Sequence, residues 1–180
     1  MAHNRARHNI VEMKIDFLKV EKETEEEFGK IADELLNNCA IQNHDSEYRL
    51  VEIEFYWTSR NHKDDSTYQR KHTDPKNGDW FFHYSEVDIA MKNEDLDGFG
   101  GVLIRGIYSL KEDKIYKGPM VCAMKLFSGT SAFGESIKTK IIERNFDKAV
   151  VQKSPRIGLG GNAKQSGTDK LNYRFFINPK

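Results

Sequence analysis

Glu54 and Tyr56 stand two apart in the run Leu50-Val51-Glu52-Ile53-Glu54-Phe55-Tyr56. In an extended chain this spacing puts both side chains on one face. A carboxylate set between Ile53 and Phe55 is open to partial burial, which raises its pKa toward the range useful to a general base. An aromatic plate beside it suits a flat heterocycle, because the ring stacks while the carboxylate directs water or a proton. The plainer alternative makes Glu52, Glu54 and Tyr56 the solvent face of an edge strand. His62, His72 and His83 pair neither at i, i+4 on a helix nor at i, i+2 on a strand, so they are expected to hydrogen-bond within loops rather than to hold a metal. Cys39 and Cys122 have no metal-ligand spacing and form no disulfide framework. The expectation is a site without metal or cofactor.

The elements that must position these residues are legible in outline. Thr24 and Glu27 form a capping box with three acids in the first turn, and Phe28, Ile31, Ala32, Leu35 and Leu36 recur with helical period. This predicts an amphipathic helix ending near Asn37-Asn38. Residues 49–57 alternate as a strand, Val51, Ile53 and Phe55 against Glu52, Glu54 and Tyr56. Residues 58–79 are polar and form a loop longer than an idle connection needs, which points to a functional loop. Two further strand-like runs, 80–91 and 101–108, flank a turn-forming segment at 93–100 and are expected to pair antiparallel. A second helix is predicted over 131–145 and a short strand over 149–151. The segment Ser154-Pro155-Arg156-Ile157-Gly158-Leu159-Gly160-Gly161 exposes backbone amides beside a basic side chain. Leu171, Tyr173, Phe175 and Ile177 alternate in a closing strand. The expected fold is α+β, a single domain with a curved, mostly antiparallel sheet flanked by helices, spanning 23–180 behind an N-terminal extension at 1–22.

The chain has 180 residues, 38% of them hydrophobic, which is enough for one sizeable core. With 31% charged residues and no long apolar run, it offers no membrane-spanning helix. Its first residues lack the apolar region of a secretory signal, so a cytoplasmic or nucleoid-associated location is expected. The net charge of zero conceals an asymmetry. Residues 111–180 hold 14 Lys and Arg against 6 Asp and Glu, a balance of +8 that leaves −8 on the first 110. A basic half points toward an anionic partner, with Lys125, Arg156 and Lys164 as candidate phosphate contacts. Ordinary solvated lysines would give the same count.

The string Arg49-Leu50-Val51-Glu52-Ile53-Glu54-Phe55-Tyr56 resembles the R-I-V-E-T-E-A-Y strand of the alkyladenine (3-methyladenine) DNA glycosylase family. Other segments follow in that family's order. Ala32-Asp33-Glu34-Leu35-Leu36 resembles its A-x-x-L-L helix and Gly101-Val102-Leu103-Ile104-Arg105-Gly106 its V-L-L-R-A strand. Gly118-Pro119 with Cys122 resembles its G-P-x-K-L-C element, residues 154–160 its A-x-R-V-G-V-G turn, and Leu171-Asn172-Tyr173-Arg174-Phe175-Phe176 its closing P-L-R-F-Y strand. The resemblance covers roughly residues 28–178 as a collinear set.

The resemblance implies a DNA repair enzyme of base excision, a hydrolase that flips a damaged, alkylated purine out of double-stranded DNA and cleaves its N-glycosidic bond with activated water. Glu54 would be the general base and Tyr56 one wall of the base pocket. Phe81 falls near a second stacking aromatic, and Tyr84 near the tyrosine that wedges into the minor groove. Arg105 matches the arginine ending the family's strand and is grouped with the DNA contacts. The family's histidine aligns with Asp65, so His62 or His72 would replace it, and the residue that screens guanine aligns with Met91. Glu86 puts an acid where a phosphate-facing surface would want none, and Asp88 has no counterpart. A monomer acting on DNA is expected. An N-glycoside hydrolase acting on RNA or a nucleotide, or a catalytically silent nucleic-acid-binding module, would fit the same residues.

Overall fold

In a computed structural model the chain is described over residues 15–44, 46–70, 75–130, 133–134 and 138–179. The helix predicted behind Thr24 is α1, Glu25–Asn37. Thr24 Oγ1 accepts from the Glu27 amide at 3.3 Å, and Glu25, Glu26 and Glu27 sit where the helix N-terminus is partially positive. The periodic set from Phe28 to Leu36 is buried. At the other end Arg49 donates Nε to the Leu36 carbonyl at 3.0 Å and Nη2 to Asn37 Oδ1 at 2.8 Å, closing groups that a helix leaves open. Leu18 and Val20 also belong to the core, so the packed unit begins ahead of residue 23.

The strands are β1 (Cys39–Asn43), β2 (Ser46–Thr58), β3 (Trp80–His83), β4 (Glu86–Asn93), β5 (Gly98–Ser109), β6 (Lys114–Lys117), β7 (Lys140–Glu143), β8 (Gln152–Ser154) and β9 (Arg174–Phe176). With α1, α2 (Pro119–Leu126) and α3 (Gly161–Ser166) they make an α+β fold. Every strand pair is antiparallel, and the sheet order β3-β4-β5-β2-β1-β7 curls like half a barrel. Strand β2 is the spine. It pairs with β5 along one edge and with β1, then β9, along the other.

Cross-strand partners share a sheet face, so the registers define one continuous row: Phe81, Asp88, Leu103, Glu54 and Arg174. On the opposite face Ile53, Phe55, Trp57, Ile89, Met91, Val102 and Ile104 join α1 in the hydrophobic core. The β2–β5 register shifts around Glu52, so Val51 and Arg105 have no ladder partner there. This is the irregularity that a bulge introduces.

Several expected elements fall elsewhere. The run 80–91 is a hairpin, β3 and β4 joined at Tyr84-Ser85, because Tyr84 adopts φ 51° and turns the chain. Residues 140–143 of the helix expected over 131–145 are β7, paired with β1, where the consecutive Ile141 and Ile142 suit a strand edge; residues 131–132 and 135–137 lie outside the described set. The strand expected at 149–151 lies at 152–154, and the closing strand is shorter than its alternation suggests because only 174–176 find ladder partners. Helix α2 was not anticipated. Its signal is Gly118 at φ 96° followed by Pro119 in the first turn.

Candidate active site

Glu54 is 0% exposed, so the edge-strand alternative is excluded by burial of both faces of β2. Its carboxylate is held by three donors. Tyr56 Oη donates to Oε2 at 3.0 Å and Arg105 Nη1 to the same oxygen at 3.2 Å, while the Ile157 amide donates to Oε1 at 2.8 Å. Burial pushes the Glu54 carboxyl above its ordinary range, and Arg105, the Ile157 amide and Tyr56 pull part of the way back. Tyr56 is driven the other way from ionisation: burial and then the Glu54 charge raise its phenol, keeping it a hydrogen-bond donor. The segment 154–161 thus contributes a backbone amide, that of Ile157.

The three residues that bond Glu54, Tyr56, Arg105 and Ile157, line a cavity of about 350 Å³, with Glu54 itself behind them. The sheet gives Tyr56, Leu103 and Arg105 to its wall, the 58–79 loop gives Ser66 and Arg70, and residues 157–163 close the other side. The loop therefore contributes to the cavity lining. It is also tethered. Asp64 accepts from Arg156 Nη1 at 2.5 Å, and both side chains are 0% exposed. Arg156 donates as well to the carbonyls of Phe55 and Thr168. Burial would raise the Asp64 carboxyl, but the bond and charge of Arg156, with two bonds from Ser66, leave it below its ordinary range.

A second buried carboxylate stands in the same row. Asp88 accepts from Arg70 Nε at 2.5 Å, and its other oxygen lies 3.1 Å from His83 Nε2. The Arg70 guanidinium lies over the Tyr56 ring, 3.4 Å from its centroid, and Arg156 lies over the same ring at 4.7 Å. Three carboxylate–arginine pairs, Glu54–Arg105, Asp88–Arg70 and Asp64–Arg156, thereby converge on one tyrosine. Sequence reasoning missed Asp64, Arg70 and the use of Asp88. A signal existed for Asp88, since a charged residue inside Val87-Asp88-Ile89-Ala90-Met91 demands a partner.

The remaining predicted residues divide sharply. Phe81 shares the Asp88 row and stacks on His83 with ring centroids 5.6 Å apart. Tyr84 is 88% exposed at the tip of the β3–β4 hairpin. Met91 is not a pocket residue: it is 0% exposed on the opposite, apolar face, three residues from Asp88 and hence of opposite orientation. Arg156 is not a surface phosphate contact, because it is buried and its Nη1 and Nη2 bond Asp64 and two carbonyls inside the fold. Arg105 is turned onto Glu54 and Glu52 rather than outward. His62 leaves the cavity for Tyr173, whose hydroxyl is 3.3 Å from Nε2, and burial lowers its pKa. Lys125, on α2, pairs with Glu112 of the β5–β6 turn, outside the cavity, and Lys164 is exposed on α3. His72 lies outside the described residues. Both cysteines are buried with thiols pushed up to about 12, hence unreactive. Among the described residues no cluster of three or more His, Cys, Asp or Glu could hold a metal, and no helix is long and apolar enough to cross a membrane.

Fold and site together define an antiparallel α+β domain in which a buried carboxylate is held by residues that line a cavity of mixed charge. The chain is similar to an uncharacterised protein of Acanthamoeba polyphaga mimivirus, 27% identical over 193 aligned positions that cover 85% of this chain and 87% of the relative. No family model matches the sequence.

Proposed function

We propose that this chain is a DNA glycosylase that hydrolyses the N-glycosidic bond of a damaged purine, with Glu54 as the general base that deprotonates the attacking water. The observation that carries the reading is the state of Glu54: fully buried, raised in pKa, and fixed by three donors, Tyr56, Arg105 and the Ile157 amide, whose residues line a cavity. A carboxylate offers about four acceptor positions. Three are used by the protein, which leaves capacity for one water. Arg105 opposes the effect of burial on the carboxyl and fixes its orientation, and Tyr56 cannot take its proton. Double-stranded DNA as partner is supported by the exposure of Tyr84 at a hairpin tip, which in this reading would fill the gap left by an extruded nucleotide. The protein acts as a monomer in this reading.

An N-glycoside hydrolase of RNA or a free nucleotide is the second reading. It is favoured by Glu86, an acid on the cavity lining, and by the inward commitment of Arg156. Abasic-site formation on a panel of modified duplex, single-stranded and nucleoside substrates separates the two. Glu54→Gln should keep binding while turnover falls by a factor on the order of 10² or more. Turnover at the wild-type rate in that variant would overturn the assignment, and binding without turnover in the wild type would make the chain a silent nucleic-acid-binding module.

A further inference from the structure

The Asp88–Arg70 pair is built at some cost and is not needed to activate water. Asp88 is 0% exposed and sits in an apolar strand. Its diagonal neighbour on β5, Gly101, is a glycine. A Cβ on Gly101 would stand 2.6 Å from Asp88 Oδ2, so the carboxylate occupies the space that a side chain would fill. Asp88 does not reach the cavity, whereas Arg70 does, so the cavity meets the cationic end of the pair. Stacked on Tyr56 and bonded through Nε, the guanidinium is fixed before any ligand enters. The other acids on the lining, Asp65 and Glu86, reach solvent and are screened by it.

Breaking an N-glycosidic bond sends its electron pair to the base while the water oxygen bonds to C1′ and Glu54 takes the water proton. A neutral base then departs with developing negative charge and collects a proton on release. A base that is already cationic departs neutral. A fixed cation beside the base stabilises the first transition state and not the second. Resting on the hydrolase reading above, we propose that Arg70, positioned by Asp88, selects for a neutral damaged base and against a formally cationic alkylated one. Arg70 contacts the leaving base; Asp88 is its positioning residue.

The test is single-turnover excision from duplex oligonucleotides carrying one hypoxanthine, a neutral base, or one 7-methylguanine, a cation, each scaled to its spontaneous loss. The wild type should favour hypoxanthine by a factor on the order of 10², the usual scale for one preorganised donor. Arg70→Met should abolish that preference. Because Arg70→Met alone strands a buried carboxylate, the paired variant Arg70→Met/Asp88→Leu is measured beside it, with thermal melting as the check on folding. Asp88→Glu, which keeps a carboxylate for Arg70, should retain part of the preference. Equal scaled rates on both bases in the wild type, or an unchanged preference in the folded paired variant, would overturn the selection by Arg70 while Glu54-dependent turnover upheld the hydrolase. Failure of the wild type on every substrate would overturn both.

Discussion

The two faces of β2 are closed to solvent by different physics. On one, Ile53, Phe55 and Trp57 pack with α1 and β9: Phe28 lies 5.1 Å and Phe175 5.5 Å from the Phe55 ring, and burial of apolar area drives the association. On the other, Glu54 and Tyr56 are as deeply buried beneath Arg70, Arg105 and Arg156, each matched to a carboxylate. The apolar face tolerates any well-shaped filling. The charged face requires each partner, because burying an unpaired charge costs far more than a missing methylene. Stability resides on the first face, and the chemistry proposed for this chain resides on the second.

The contrast is broken most directly by deleting one group from each face. Phe55→Ala should cost about 3–5 kcal/mol by denaturant unfolding, and Asp64→Ala a similar ~3–5 kcal/mol because it strands Arg156. The faces then part. Replacing both members of the pair, Asp64→Leu with Arg156→Met, should recover roughly half or more of the loss, the remainder belonging to the Phe55 and Thr168 carbonyls that Arg156 serves. If the paired replacement were as damaging as Asp64→Ala alone, the charged face would not be governed by charge matching.

Gly101→Ala is a smaller perturbation that acts on the charged face alone. It forces a methyl onto the Asp88 carboxylate and should cost about 1–3 kcal/mol. An unaltered unfolding curve would show that Asp88 is not held where the structure puts it.

Two carboxylates of the charged face differ in pH response. The raised carboxyl of Glu54 means that the folded state holds its proton more firmly than the unfolded chain. Its contribution to stability is thus present below the ordinary value of 4.5 and lost as pH rises through the folded value. Asp64, lowered by Arg156, does the reverse: its contribution is present above 3.8 and lost as pH falls through the folded value. Glu54→Gln should remove the first dependence and Asp64→Asn the second, read from melting temperature against pH. In the hydrolase reading, kcat/KM should rise with pH through a limb above 4.5, and Arg105→Gln should carry that limb higher.

Tyr84→Ala should change stability least, within about 0.5 kcal/mol, because the side chain is 88% exposed. Its effect should fall on the ratio of duplex to single-strand activity, where loss of the wedge matters only if stacked bases must be parted. An unchanged ratio would remove the hairpin tip from the proposed interface.

The sequence by itself determined what depends on near neighbours. The capping pair Thr24 and Glu27 with helical spacing from Phe28 to Leu36 marks α1 to within a residue, and alternation around Glu54 marks β2 and puts Glu54 with Tyr56 on one side. Period and capping are local, so they survive being read along a line. What covered that side was decided by tertiary structure alone. Arg70, Arg105 and Arg156 converge on Glu54 and Tyr56 from a loop, a bulged strand and a turn, and nothing in the spacing of three arginines announces that meeting. Arg156 reads as a surface cation beside glycines until its partner Asp64, 92 positions away, is brought to it. Residues 140–143 form a strand because β1 offers an unpaired edge. Ion pairs and ladder partners are contracts between distant segments, and only the folded chain brings their two parties together.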